Sequence, residues 1–452
     1  MMNWVKLLSE KRKLEQNVAR QKGRSPFEQD FDRIIFSTPF RKLQDKTQVH
    51  PLPEEDFVHT RLTHSLEVSS VGRSMGKMVG EALIEKYSEL KENGYSSYDF
   101  AGIVASASLA HDIGNPPFGH SGEEAISNYF KDRETDANFK NKFTSEEWAD
   151  LTDYEGNAQG FRLLNKDGFQ GLKLTFATLG AFSKYPRVSS VGSVDKSKRS
   201  QKKYGVFRSN LDFFNAIAAE MGLLSQRDGA VCMWSRHPLT FLVEAADDIC
   251  YHIIDLEDGC MLNLVSFEET FDLLSGIIRE RVDKKKLDQI PSTSEKTGTL
   301  RALAIARLIE ETVEAFLENE AGMLDGTFDT ALTDIIPSAA VLENIKALSI
   351  QRIYNSKTVL ETELAGFRVL PGLMDAYLKC VFELQHKGFR KMTKLNKNLW
   401  LSIPESHRVS IEMEKENNYG LVMACLDFIA SLTDSNAIAL YRKIMGMSLP
   451  SK

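Results

Sequence analysis

Apolar positions recur every three to four residues along most of this chain, the spacing of one face of a helix. Thr299–Leu317 and Asn418–Met447 carry the pattern most clearly. The two-residue alternation of a half-buried strand is scarce. Leu172–Thr178 (LKLTFAT) is the best short strand candidate and reads equally well as helix. The pattern predicts an all-α protein. Two polar segments interrupt it and predict loops. Ser189–Lys203 carries five basic residues, and Asp283–Gly298 carries a lysine run, a proline and serines.

Composition narrows the picture without changing it. The chain has 452 residues, 42% of them hydrophobic and 26% charged, values ordinary for a globular protein in water. That length suits two or three domains, or one large helical body with additions. A net charge of −7 argues against a generally basic nucleic-acid binder and leaves room for a local basic cleft. Cys232, Cys250, Cys260, Cys380 and Cys425 form no CxxC pair and are odd in number, which suits reduced thiols in a cytosolic protein. The opening MMNWVKLLSEKRKLEQ lacks the apolar core of a signal peptide, and no stretch reaches transmembrane length. A cytoplasmic protein without a membrane partner is expected. No GxxxxGK[ST] loop is present, which argues against a P-loop NTPase.

The candidate chemistry sits on three predicted helices. Phe57–Val71 carries His64, and Asp99–Gly114 delivers the adjacent His111 and Asp112 at its C-terminal end, with Gly114 as the stop. Pro238–Glu257 carries Asp247. Two imidazoles and two carboxylates suit a divalent metal with positions left open for water or substrate. An ionisable pair closing an apolar helix needs compensation, and a metal supplies it.

The stretch after that pair reads GNPPFGHSGEE, a rigid excursion with two prolines. Ser121 followed by Glu124 predicts a capping box opening the next helix. His120 then stands just before a helix N-terminus, which favours anions, with Glu123 in the first turn to orient it. Asp247, Tyr251 and Asp255 are spaced i, i+4, i+8 and share one helical face. Asp248 rivals Asp247 for the metal, and the i+4 relation to Tyr251 selects Asp247. Arg61 precedes His64 by three residues on the same face, and a guanidinium forks onto phosphate. The basic run Lys196–Lys203 could close over a triphosphate, but a solvated loop is the preferred description.

The order H…HD…D resembles the HD-domain metallophosphohydrolases. RKLQDKTQV (Arg41–Val49), HTRLTHSLEV (His59–Val68), HDIGNPPFGHSGEEAI (His111–Ile126), EGNAQGFRLL (Glu155–Leu164) and EAADDICYHIIDLEDG (Glu244–Gly259) narrow the resemblance to the deoxyguanosine triphosphate triphosphohydrolase family. The resemblance spans about Arg24–Gly259. It implies a helical HD fold whose catalytic domain covers 56–260. Residues 1–55 would contribute to the active-site region, and 261–452 would close the pocket and build oligomer contacts.

The resemblance also implies roles. His120 and Glu123 would carry acid–base work on the reacting phosphate. Gln44, Tyr251 and Asp255 would hold the sugar 3′-hydroxyl, with Tyr251 disfavouring a 2′-hydroxyl. Lys184, Tyr185, Asn157 and Arg162 would join Arg61 around the phosphates. The metal expected is manganese or magnesium, with iron, cobalt and zinc left open. The expected reaction is attack of water at the α-phosphate of a dNTP, dGTP foremost, releasing deoxynucleoside and tripolyphosphate. Family members form hexamers built from trimers or dimers, so a homo-oligomer is expected, and single-stranded DNA stays open as an effector. The alternatives are another HD phosphohydrolase, such as a nucleotide monophosphatase or phosphodiesterase, or a nucleotide- or DNA-responsive regulatory protein.

Overall fold

The computed structural model describes residues 1–13, 23–48, 59–166, 171–192, 194–226 and 232–447. Among these residues every regular element is helical, and pairings of strand type are confined to isolated bridges. The protein is an all-α HD-domain fold. The helices that build and support the site are α1 (Pro26–Ile35), which packs on α3, then α2 (Arg61–Lys86), α3 (Ser97–Ala110), α4 (Gly119–Lys131), α5 (Gly156–Leu164), α6 (Phe176–Phe182) and α7 (Pro238–Met261). Beyond them lie α8 (Thr293–Asp325), α9 (Lys357–Lys387), α10 (Asn418–Ala430) and α11 (Asp434–Ile444).

The α2–α3 pair is the tightest contact, and the sequence shows why. Gly72, Gly76 and Gly80 recur at four-residue intervals on α2, so they form one bare stripe. A Cβ at Gly80 would lie 2.9 Å from the Cβ of Phe100, and one at Gly72 would lie 2.6 Å from Ser108 Oγ. The stripe lets the α3 backbone close onto α2, bringing His64 and His111 to one end of the pair. Thr60 caps α2 by accepting from the Thr63 N–H in a reciprocal capping box, fixing where Arg61 and His64 fall. Phe100 is fully buried against Trp4, and removing such a ring costs about 3–5 kcal/mol.

Two apolar cores share the chain. The first gathers α1, α2, α3, α6, α7 and α8. The second gathers α4, α9 and α10 with Trp148, Trp400 and Tyr377. Helices after residue 260 divide between them. Residues 265–353 pack on the first core and 369–437 on the second.

Several local expectations are corrected. Leu172–Thr178 is not a strand: Thr175 makes one isolated bridge to Arg12 and caps α6 by accepting from the Thr178 N–H. Asp283–Gly298 is not all loop, because Asp283 caps a short helix, Lys284–Asp288, and Ser292 caps α8. Asn418–Met447 is two helices bent by 111°, parted at Ser431–Thr433. Thr299–Leu317 lies wholly inside α8, as its periodicity predicts. Phe57 and Val58 of the predicted His64 helix lie outside the described residues. Among the described residues no single helix is long and apolar enough to cross a membrane. The bent pair α10–α11 passes that test by composition, and its apolar side chains fill the second core.

Candidate active site

The ends of α2 and α3 and the middle of α7 meet at one point. His64, His111 and Asp247 each offer a ligand atom there, all within 4.8 Å of one another. His64 Nε2 lies 3.2 Å and His111 Nε2 3.5 Å from Asp247 Oδ1. His111 Nδ1 donates to the Ser108 carbonyl (2.6 Å), which leaves Nε2 free for a ligand. Burial alone would raise the Asp247 carboxyl. His111, the hydrogen bond from His64, and Lys184 instead hold it well below the usual carboxylate range.

Asp112 completes the set. Its Oδ1 accepts from Arg61 (2.7 Å) and from the Asn115 side chain (2.6 Å). Its Oδ2 is buried without a partner, 3.7 Å from His111 Nε2. An orphaned carboxylate oxygen facing an imidazole cluster is costly unless a cation satisfies it. The donor set of two imidazoles and two carboxylates therefore fits a divalent metal.

Asp247 and Asp248, the two rivals, have different partners. Asp248 turns away, accepting from Thr333 Oγ1 (2.7 Å) and lying 3.6 Å from Arg199. Only Asp247 lines the cavity.

His120 does not precede its helix. α4 begins at Gly119, with Phe118 in the left-handed region at its N-cap (φ 66°), so His120 and Ser121 lie in the first turn and Glu123 one turn in. The expected capping box is absent, because Ser121 is already helical. The expected pairing survives this shift. His120 Nδ1 lies 2.8 Å from Glu123 Oε2, while the His120 side chain is 82% exposed and reachable. Glu123 is buried and accepts from the Gly156 N–H (2.7 Å). A Cβ at Gly156 would lie 2.5 Å from Glu123 Oε1 and closer still to Asn115 Oδ1, so any side chain there would displace both groups. Burial opposes the Glu123 charge, but His120, Lys203 and the Gly156 amide hold its carboxyl below its ordinary range.

A cavity of about 270 Å³ covers the cluster. Arg61, Asn157, Lys184, Tyr185 and Tyr251 line it, as expected of substrate-binding residues. Lys184 Nζ stands 3.4 Å from Glu244 and 3.8 Å from Asp247. Burial opposes its charge, yet Tyr185, Glu244, Asp247 and Asp248 hold the ammonium above its ordinary range. A second cavity of about 210 Å³ adjoins the first, and Gln48, Arg61, His120 and Tyr251 line both.

Three expected residues fall elsewhere. Gln44 is exposed and lines neither cavity; the tight turn Lys42–Asp45 buries Leu43 and turns Gln44 outward. Gln48, from the same RKLQDKTQ stretch, lines both cavities, and its Oε1 is buried without a partner. Arg162 is a structural cation, held by Asp427 (2.9 Å). Asp255 is buried beneath the cavities, accepting from the Tyr354 hydroxyl (2.7 Å), and burial pushes its carboxyl up to about 7.

The basic run is solvated only in part: Lys196, Lys198 and Lys202 are exposed, but Arg199 and Lys203 turn inward. Arg199 binds Glu244 (2.8 Å), and Lys203 lines the first cavity, 3.0 Å from Glu155 and 3.7 Å from Glu123. Tyr354, whose ring faces Tyr251, also escapes the sequence reading, since no motif surrounds it. Asn115 escapes it as well, although it stands inside the quoted HDIGNPPFGH.

Comparison with known proteins agrees with this geometry. The HD domain family matches residues 61–159, which include His64, His111 and Asp112. A deoxyguanosinetriphosphate triphosphohydrolase-like protein of Synechocystis sp. is 40% identical over 99% of this chain and 100% of its own length. The chain belongs to the deoxyguanosinetriphosphate triphosphohydrolase family. A like-named protein of Pseudomonas aeruginosa is 37% identical over the full length of both chains. A deoxyguanosinetriphosphate triphosphohydrolase of Cronobacter sakazakii is 31% identical over 93% of this chain and 94% of its own. The family and the site together make this an HD-domain nucleotide triphosphohydrolase.

Proposed function

We propose that this enzyme hydrolyses a deoxynucleoside triphosphate, dGTP foremost, to a deoxynucleoside and inorganic tripolyphosphate. The observation that carries the reading is the charge of the cavity. Arg61, Lys184 and Lys203 face Asp112, Glu244 and Asp247 there, so the lining is balanced until a divalent ion joins it. The site would then attract a polyanion. His64, His111, Asp112 and Asp247 would hold the metal, manganese or magnesium by preference. When bound, such an ion supplies Lewis-acid polarisation and lowers the pKa of a bound water.

The chain's own groups do the rest. Lys184, Lys203, Arg61, Tyr185 and Asn157 receive the phosphates and stabilise charge growing on them in the transition state. His120, its Nδ1 held by Glu123, exchanges the proton through its other nitrogen. The adjoining cavity, with Tyr251, Tyr354 and Phe118, takes the nucleoside. Tyr251 stands at the junction, where a 2′-hydroxyl would crowd it. Gln48 is the glutamine placed to reach the sugar, and Asp255 acts through Tyr354. Residues 1–55 thus supply Gln48, 56–260 the chemistry, and 261–452 the closing wall. The protein is proposed to act in the cytoplasm as a homo-oligomer, with single-stranded DNA as an effector to be tested.

The decisive experiment is a panel of dNTPs and rNTPs across several divalent metals, with products identified. Tripolyphosphate from a dNTP is expected. Monophosphate release or a ring-opened nucleotide would replace this reading with another HD phosphohydrolase. Binding without turnover at any metal would leave a regulatory protein.

A further inference from the structure

A third cavity, about 560 Å³ and larger than either part of the site, shares no lining residue with them. Its size suits a small organic ligand. Arg33, Lys42, Lys46, Lys166 and His407 line it, and among the described residues no carboxylate does. Lys42 and Lys166 are each anchored yet keep donors in hand. Lys42 Nζ donates to the Ser431 carbonyl (2.8 Å) and lies 3.3 Å from the Ser431 hydroxyl. Lys166 Nζ lies 3.3 Å from Asp427, a carboxylate it shares with Arg162 and Gln159. An ammonium has three N–H groups, so both lysines can reach a further acceptor. Lys46 is the exception, engaged by the carbonyls of Asn115 (2.5 Å) and Ala430 (2.8 Å).

Lys42 and Lys166 stand close enough to feel each other's charge. Burial and the charge of Lys166 both push the Lys42 pKa down, so the pair lacks full compensation. His407, whose Nε2 is 3.2 Å from the Ser431 hydroxyl, is kept neutral by burial and by Lys166, which lower its pKa to about 4, so it adds a polar edge and no positive charge. Pro39, Leu43, Leu163 and Leu172 form an apolar part of the wall, with the exposed ring of Phe36 beside them and Ser37, Thr38 and Ser406 between.

We propose that this cavity is a second ligand site, separate from the metal cluster, for a small phosphate ester. Its phosphate would lie between Lys42 and Lys166 and its apolar body along Phe36, Pro39 and Leu172. The inference does not depend on which nucleotide the metal site takes. Free phosphate shares the anionic chemistry but cannot use the apolar wall.

The test is calorimetric titration of the full chain, with divalent metal added, using phenyl phosphate and inorganic phosphate in separate arms. Two classes of phenyl phosphate site are expected, one at the metal cluster and one here. Lys42→Gln with Lys166→Gln should weaken only the second, at least about tenfold, the equivalent of one charge-assisted hydrogen bond. Thr38→Trp blocks the cavity from an exposed lining position and should remove the same class even if the lysine variant fails to fold. A single class in the wild type, or two classes surviving both variants, would overturn the proposal. Inorganic phosphate binding here as tightly as phenyl phosphate would overturn the ester.

Discussion

Tyr251 of α7 and Tyr354, which follows the helix Ala339–Ser349, face each other with ring centroids 5.4 Å apart and planes at 31°. Tyr354 also donates to Asp255, one turn along α7 from Tyr251. The pair forms a flat aromatic wall where the two site cavities join. If that wall selects the sugar, dGTP turns over at least about tenfold faster than GTP, a difference near 1.4 kcal/mol. Tyr251→Ala narrows the gap. Tyr354→Phe loosens Asp255 and raises KM more than it lowers kcat. Steady-state kinetics on both nucleotides decide it, and unchanged discrimination in Tyr251→Ala moves the selectivity to Gln48.

His111→Ala and Asp112→Ala each remove a donor from the cluster. Both should abolish turnover and lower the metal retained after dialysis, read by elemental analysis. Wild-type metal content with normal activity in both variants would rule the site out.

Asp247 and Asp248 are adjacent but face different partners, so they should separate cleanly. Asp247→Asn is expected to lose metal. Asp248→Asn should keep it, because its carboxylate binds Thr333 and Arg199 instead. Equal loss in both would return the two residues to rivalry.

If His120 moves the proton, His120→Ala lowers kcat by roughly 10²–10⁴-fold with metal content unchanged. Glu123→Gln acts in the same direction and less severely, since it orients the imidazole rather than exchanging the proton. A near-normal kcat in His120→Ala reduces that residue to a helix-start side chain.

His237 gives a stability prediction of definite sign. It is buried, its Nδ1 accepts from the Leu239 N–H, and its Nε2 donates to the Leu7 carbonyl, an arrangement only a neutral ring allows. Burial lowers its pKa to about 4 from an ordinary value of 6.5. Between those values the unfolded chain binds the extra proton, so stability is lost as pH falls through that window. The full loss is about 3 kcal/mol at roughly 1.4 kcal/mol per pKa unit. His237→Asn retains a helix-capping acceptor and should flatten the wild-type decline between pH 7 and pH 5 in urea unfolding. Parallel curves for the two proteins would remove His237 from the account.

Much of this was legible in the sequence, for identifiable reasons. Periodicity located the helices, and i, i+4 spacing placed Asp247 and Tyr251 on one face, because both are properties of a single helix. Lys203 was misjudged because a basic run looks the same whether water or Glu155 receives its charge. Tyr354 was invisible because it meets Tyr251 only after tertiary packing. Gln44 and Gln48 differ by one tight turn, and spacing alone does not say which faces inward.

Asp434, the first residue of α11, is buried and holds two distant segments together. One oxygen accepts from the Phe118 N–H (3.0 Å), and the other from the backbone N–H and hydroxyl of Thr47 (2.9 and 2.5 Å). Lys46 adds a clasp between the Asn115 and Ala430 carbonyls. The excursion that carries His120 is thus pinned by a residue made more than three hundred positions later. During synthesis His64, His111, Asp112 and Asp247 all emerge well before the clasp that steadies their neighbours. A ribosome-bound chain halted before Asp434 would carry His64, His111, Asp112 and Asp247 without that clasp, so the site would settle only once α11 has emerged.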